Sequence, residues 1–217
     1  MLKFYYTPLS VNARRVWITL LEKQLPFESI LLNLDGDQFS AEFTRINPLQ
    51  RVPVVVDEGL RLVESLAILE YLEAKYPAVA LMPHNVDEIA LIRMICLISL
   101  TDLQPATLPL MKQLVGLIVD SVTLQTAQQR IIQILQFFED LLRERTYIAG
   151  NNFTLADIVA GTLVPSVAMF GITIEPFPKL AAWLERLSLR ESFRQTAPSP
   201  EQIQAALPSI KKILEMR

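Results

Sequence analysis

Asn47-Pro48-Leu49-Gln50-Arg51-Val52-Pro53-Val54-Val55-Val56 runs directly into Asp57-Glu58-Gly59 and then Leu60-Arg61-Leu62-Val63. Three successive valines read as a strand, Asp57-Glu58-Gly59 as a hairpin turn, and Leu60 to Val63 as the returning strand. Pro53 brings no ladder donor, so it belongs at a strand start or on an edge. Beyond Glu64, the apolar residues Leu66, Leu69 and Leu72 recur on one helical face from Ser65 to Tyr76, and Pro77 stops the run. The stretch reads strand, strand, helix.

Toward the N-terminus, Leu2 to Tyr6 reads as a strand closed by Thr7-Pro8. Val16, Trp17, Leu20 and Leu21 give Ser10 to about Lys23 the spacing of an amphipathic helix. Glu28 to Leu32 is a second strand, and Gln38 to about Arg45 a short helix after the turn Asp35-Gly36-Asp37. The order βαβ, helix, ββα is that of the thioredoxin-like fold, which binds thiols and small peptides. Toward the C-terminus no strand pattern survives after about residue 85. Val86 to about Gly116 predicts a long helical stretch bent near Pro105 and Pro109. Further helices are expected at Thr126 to about Arg145, from Thr154, at Phe177 to about Leu189, and at Glu201 to about Met216. Thr154-Leu155-Ala156-Asp157 has the spacing of a capping box. Tyr76 to Val86 reads as the linker. The expectation is an α/β thioredoxin-like domain over 1–77 and an all-α domain over 86–217.

Composition narrows the chemistry. Of 217 residues, 51% are apolar, enough for a core in each domain and too many for a disordered chain. Residues 1–80 carry 8 basic and 10 acidic groups and residues 81–217 carry 12 and 13, so no basic region suits a nucleic acid. The single cysteine, Cys96, forbids an intrachain disulfide, and the single histidine, His84, leaves little for a zinc or histidine-triad enzyme. The longest uncharged run, Ile158 to Ile174, has 17 residues with Gly161, Pro165 and Gly171 inside it. A bilayer span needs about 20, so a buried core helix is the reading. With no targeting signal, the expectation is a soluble, cytoplasmic protein.

Three places could carry chemistry. At Val52-Pro53, a cis bond would turn the Val52 N–H and C=O outward to pair with a peptide backbone; a trans proline starting a strand is the plainer alternative. At Glu64-Ser65, a strand meets a helix, with Ser65 placed as the N-cap. The first helical N–H groups there could hold a ligand carboxylate while Glu64 meets an ammonium. An ordinary cap beside a solvated Glu64 explains the same residues. Ser10 opens the first helix where redox members of the fold carry two cysteines. Its hydroxyl could donate to a thiolate, or be a plain cap.

Taken together and in this order, these features resemble the glutathione S-transferase family, in particular its serine-type theta- and delta-like classes. The resemblance rests on Tyr5-Tyr6-Thr7-Pro8-Leu9-Ser10 with Arg14, on Asn47-Pro48 and Arg51-Val52-Pro53, on Glu64-Ser65-Leu66-Ala67-Ile68-Leu69-Glu70-Tyr71-Leu72, and on Thr154-Leu155-Ala156-Asp157. It implies a cis Pro53, glutathione as cosubstrate and an apolar electrophile as second substrate. Ser10 would hydrogen-bond the glutathione sulfur, Val52 would pair with the cysteinyl unit, and Glu64 and Ser65 would bind the γ-glutamyl end. Gln50 or Arg51 would meet the glycyl carboxylate. Tyr6 resembles the activating tyrosine of other classes, with a core or edge tyrosine as its plainer reading. Asp157 looks like a structural cap. Asp102 would either pair with a basic residue or reach glutathione on a partner subunit. Leu9, Leu108, Met111, Val167 and Phe170 could line the electrophile pocket or simply pack. A homodimer is implied, with Val86 to Gly116 burying one face against the partner. The zeta class begins its helix Ser-Ser-Cys, whereas this chain reads Ser10-Val11-Asn12, which speaks against an isomerase of that type. A binding or scaffold protein without turnover is the rival reading.

Overall fold

The computed structural model describes residues 1–33 and 36–215. The described residues form two compact units, Met1–Ala80 with Ser192–Lys212, and Leu81–Glu191 with 213–215.

The first unit is built on four strands, β1 (Leu2–Tyr6), β2 (Phe27–Leu31), β3 (Val54–Asp57) and β4 (Leu60–Val63), in the spatial order β2-β1-β3-β4. β1 and β2 are parallel, while β3 runs antiparallel to both β1 and β4. The parallel pair needs a crossover, which helix α1 (Val11–Glu22) supplies. Glu58 at φ 50° and Gly59 at φ 88° make the tight β3–β4 turn, where the sequence placed a hairpin. Phe4, Val54 and Val55 are fully buried, as are Val16 and Leu20 of α1. Helix α3 (Ser65–Lys75) adds Ile68, Leu69 and Leu72 and packs against α1. The helix expected from Gln38 is divided. A 3-10 turn at Asp37–Phe39 ends at Ser40, whose hydroxyl then caps α2 (Ala41–Ile46) by accepting from Phe43 N–H at 3.1 Å. Of the turn expected at Asp35-Gly36-Asp37, Asp35 lies outside the described residues; Gly36 takes φ 132°.

The second unit is helical. α4 (Val86–Ile98) starts on the Asn85 cap. The helical backbone then runs without a break to Leu114, as expected, though not as α-helix throughout. A wide π turn at Ser99–Leu103 intervenes, and α5 (Gln104–Leu114) follows. Pro105 follows that turn directly, near the start of α5. α6 (Ser121–Leu142) begins five residues before Thr126, because Asp120 accepts from Thr123 N–H at 2.9 Å and caps it. α7 (Leu155–Leu163) is buried along its whole length. The uncharged run therefore starts as the core helix expected of it but does not stay one. Pro165 cannot continue the α ladder, and Val164–Phe170 is a 3-10 segment. α8 (Pro178–Ser188) buries Trp183. The chain then forms α9 (Glu191–Thr196), a helix the periodicity did not predict, and α10 (Pro200–Glu215). Met216, expected to end that last helix, lies outside the described residues.

Candidate functional site

One rung of the sheet gathers the candidate residues. Tyr5 of β1 faces Val54 of β3, and Val54 faces Val63 of β4. That rung holds the first residue of β3, the last of β4 and the last but one of β1. The segments leaving it, Thr7–Ser10, Val52–Pro53 and Glu64–Ser65, therefore emerge at the same end of the sheet.

Each segment has a feature that the strands alone do not require. Ser10 is half-buried and caps α1, its Oγ accepting from Ala13 N–H at 3.2 Å. A hydroxyl that accepts in this way keeps its proton to donate. The Val52–Pro53 bond is cis, and Val52 lies outside the ladder, whose register on β3 begins at Val54. Asn47 pins the loop before it, donating to Arg51 C=O at 2.7 Å and accepting from Leu49 N–H at 3.0 Å. Gln50 is held at φ 56°, with its amide on Thr44 Oγ1 at 3.2 Å, while Arg51 is exposed.

At the third segment the structure corrects the sequence. The N-cap of α3 is Glu64 and not Ser65; Ser65 is already the first helical residue. The chain reverses at Glu64, which takes φ 68° and ψ 115°, a conformation that costs an L residue about 1–3 kcal/mol. Its side chain is exposed and makes no capping bond. The first N–H groups of α3 are thus left without a side-chain cap, at the positive end of the helix.

Arg15 was missed. The sequence carried a signal, a charge at i−3 and i−4 from Ile18 and Thr19 on the buried stripe of α1. Its guanidinium is fully buried and donates to Asn12 Oδ1 at 2.6 Å and Ser65 Oγ at 3.5 Å, joining the starts of α1 and α3. Its neighbour Arg14 instead donates to Thr196 Oγ1 and Phe193 C=O, both at 3.2 Å, and burial lowers its pKa.

Tyr6 lies at this same end, one residue beyond the rung. The Tyr6 ring stacks on Phe4 with centroids 5.0 Å apart and meets Trp17 edge-on at 4.9 Å, on an interior strand of the sheet. Asp102, on the π turn of the helical unit, pairs with Arg130 of α6 at 2.6 Å. That pair lines an open cleft of about 410 Å³ with Pro105, Pro109 and Val122. Val167 is fully buried in the core, while Leu108 is exposed and Met111 and Phe170 are half-buried. Asp157 accepts four hydrogen bonds, from Thr154 N–H (2.8 Å) and Oγ1 (3.1 Å), Ile148 N–H (3.0 Å) and Trp183 Nε1 (2.8 Å). Burial pushes its carboxyl above the usual range, against the pull of those donors.

The four-stranded mixed sheet is thioredoxin-like in order, and an uncapped helix start emerges at the same end as a cis proline. Residues 4–80 match the model of the glutathione S-transferase N-terminal domain, and residues 104–191 that of the C-terminal domain. The chain belongs to the glutathione S-transferase family, whose members use glutathione as substrate or cosubstrate. It is 31% identical to the maleylacetoacetate isomerase of Mus musculus, covering 85% of this chain and 86% of that protein. It is 29% identical to glutathione S-transferase D7 of Drosophila melanogaster, over 99% of this chain and 93% of that protein. The apo form of human glutathione S-transferase T1-1 superposes with a TM-score of 0.81 at 26% identity, covering 99% of this chain and all of that one. The isomerase relatives weigh against the exclusion drawn from Ser10-Val11-Asn12.

Proposed function

We propose that this protein ionises the thiol of glutathione and transfers it to small apolar electrophiles. The observation that carries the reading is the start of α3, where Glu64 is bent to φ 68° and caps nothing, at the end of the sheet where Ser10 caps α1. The α3 N–H groups and Ser65 hold the γ-glutamyl carboxylate, and Glu64 holds the ammonium beside it. Val52 pairs its backbone with the cysteinyl unit next to Pro53. Gln50 or Arg51 receives the glycyl carboxylate. Ser10 donates to the sulfur, the thiol proton leaves to solvent, and the sulfur lone pair forms the new C–S bond as halide departs with its electron pair. One charge-assisted bond is worth about 1.5–3 kcal/mol, enough to bring a thiol of pKa about 8.5 near neutrality. Asp102 pairs with Arg130 in this chain, and its other expected role, reaching glutathione on a partner subunit, stays part of the homodimer reading.

The same reading includes domains at 1–77 and 86–217, a homodimer and a cytoplasmic location. No described helix is long and apolar enough to cross a membrane. Retention on immobilised glutathione, followed by turnover of an aryl halide, is the expected result. Retention without turnover of any electrophile class makes the protein a scaffold, and no retention overturns the glutathione site. Light scattering at micromolar concentration checks the dimer; a monomer refutes it.

A second reading, the isomerisation named for the Mus musculus relative, is favoured by the 31% identity over most of both chains. Turnover of maleylacetoacetate with catalytic glutathione, and none of aryl halides, would replace conjugation with that reaction.

A further inference from the structure

One buried cation joins the two helix starts at the candidate site. Arg15 has no exposed surface, and its Nη1 reaches Asn12 Oδ1 at 2.6 Å and Ser65 Oγ at 3.5 Å. Burying a guanidinium is costly, and an apolar residue would fill the stripe between Ala13 and Ile18 without that cost. The polarity of its contacts shows what the cation adds. Arginine has five N–H donors and no acceptor, so each contact can run only one way. Asn12 must offer its carbonyl oxygen, which turns its amide nitrogen away from Arg15. Ser65 must accept, which leaves its own hydroxyl proton for a different acceptor.

We propose that Arg15 is a positioning residue for the anion-binding end of the sheet, fixing Ser65 as a hydrogen-bond donor toward the ligand carboxylate. The proposal rests on the glutathione reading above. It makes the start of α3 a carboxylate site in which backbone N–H groups and one oriented hydroxyl point the same way, over a buried positive charge. Arg15 touches no reacting atom, and its effect passes through Ser65.

A double-mutant cycle on glutathione affinity tests this. The probe is glutathione itself, titrated calorimetrically against the wild type, Arg15→Lys, Ser65→Ala and the double variant. Lysine keeps the buried charge but not the planar Nη1 group, whose two N–H bonds point in fixed directions to Asn12 and Ser65. Each single change should weaken glutathione about 10-fold, the equivalent of one hydrogen bond. The double variant should bind no more weakly than the worse single one. At saturating glutathione, Arg15→Lys should leave kcat and the bound-thiol pKa near their wild-type values, because Ser10 is unchanged. If Arg15→Lys does not fold, Arg15→Gln, which is shorter but still a donor, enters the cycle with the same expectation. A double variant weakened about 100-fold, the product of two independent effects, overturns the proposal. So does a loss of kcat that matches the loss of affinity. A wild type that does not bind glutathione overturns the functional reading itself, and is recognised before any variant is made.

Discussion

Helices α7 and α3 begin in opposite ways. At α7, Thr154 has an ordinary extended backbone at φ −138°, and Asp157 gathers four donors, Trp183 Nε1–H among them, with no exposed surface. At α3, Glu64 stands at φ 68°, is exposed, and caps nothing. Both helix ends offer the same orphan N–H groups. At α7 the Leu155 N–H donates to Leu81 C=O and the Asp157 N–H to Thr154 C=O, whereas the Glu64 side chain caps nothing at α3. The first arrangement adds stability; the second stores a little strain.

The largest test of this contrast is Asp157→Ala. A capping box alone is worth about 1–2 kcal/mol. Here the loss also leaves a buried indole N–H and the Ile148 N–H unpaired, so about 3–5 kcal/mol is expected. Denaturant unfolding measures it, and the thiol pKa of bound glutathione should not move. A loss below about 1 kcal/mol would mean that water replaces the carboxylate, and the contrast between the two helix starts would break.

Ser10→Ala comes next. Turnover at neutral pH should fall about 10- to 100-fold, with the bound thiol pKa raised by about one to two units. Stability should fall only by the lost cap, about 0.5–2 kcal/mol. Glutathione affinity should hardly change, since Val52, Glu64 and Ser65 are untouched. Tyr6→Phe should leave the thiol titration in place, because the Tyr6 ring is engaged with Phe4 and Trp17. Thiolate absorbance against pH decides between them. A shift in Tyr6→Phe and none in Ser10→Ala would move activation to the tyrosine.

The opposite end of the same sheet offers a third comparison. Asp57, paired with Leu60 at the far rung, accepts from Tyr76 (2.6 Å), Lys75 (2.9 Å) and Tyr71 (2.9 Å). Burial alone would raise its pKa, but the three donors outweigh it and hold the carboxyl below its usual range. A depressed folded pKa adds stability above the unfolded pKa of about 3.9, and that stability is lost as pH falls through the folded value. Asp57→Asn should cost about 1–2 kcal/mol at neutral pH. It should also flatten the acid limb of the stability profile below about pH 4. An unchanged acid limb would remove Asp57 from the account.

Much of this was legible in the sequence because it rests on local pattern. Val54-Val55-Val56, the turn at Glu58-Gly59 and the Thr154–Asp157 spacing each specify their structure over a few residues. Ser10 and the Val52–Pro53 position were legible for the same reason. What escaped depends on partners distant in the chain. Arg15 reaches Ser65 from 50 positions away, and nothing in its neighbours reveals that. The π turn at Ser99–Leu103 lies just before Pro105 near the start of α5, a change of helix type that periodicity cannot express. The cap of α3 was misplaced by one residue because Glu64, at φ 68°, breaks the rule that an N-cap is extended.

The smallest effect bears most directly on that departure. Glycine adopts positive φ without penalty, whereas a residue with a Cβ keeps the strain. Glu64→Gly should therefore relieve about 1 kcal/mol or somewhat more, offset in part by the added freedom of the unfolded chain. Net stability should rise by no more than about 1 kcal/mol over wild type. Glu64→Ala should gain nothing, since it keeps the strained backbone. Both should weaken glutathione alike, because both remove the carboxylate that meets the ammonium. At α7 the order reverses. Thr154→Gly gains no relief at φ −138° and loses the side chain that donates to Asp157, so it should destabilise. Thermal unfolding of the three variants reads the comparison directly. If Glu64→Gly proves no more stable than Glu64→Ala, the bend at Glu64 stores no strain, and the exposed start of α3 needs another cause.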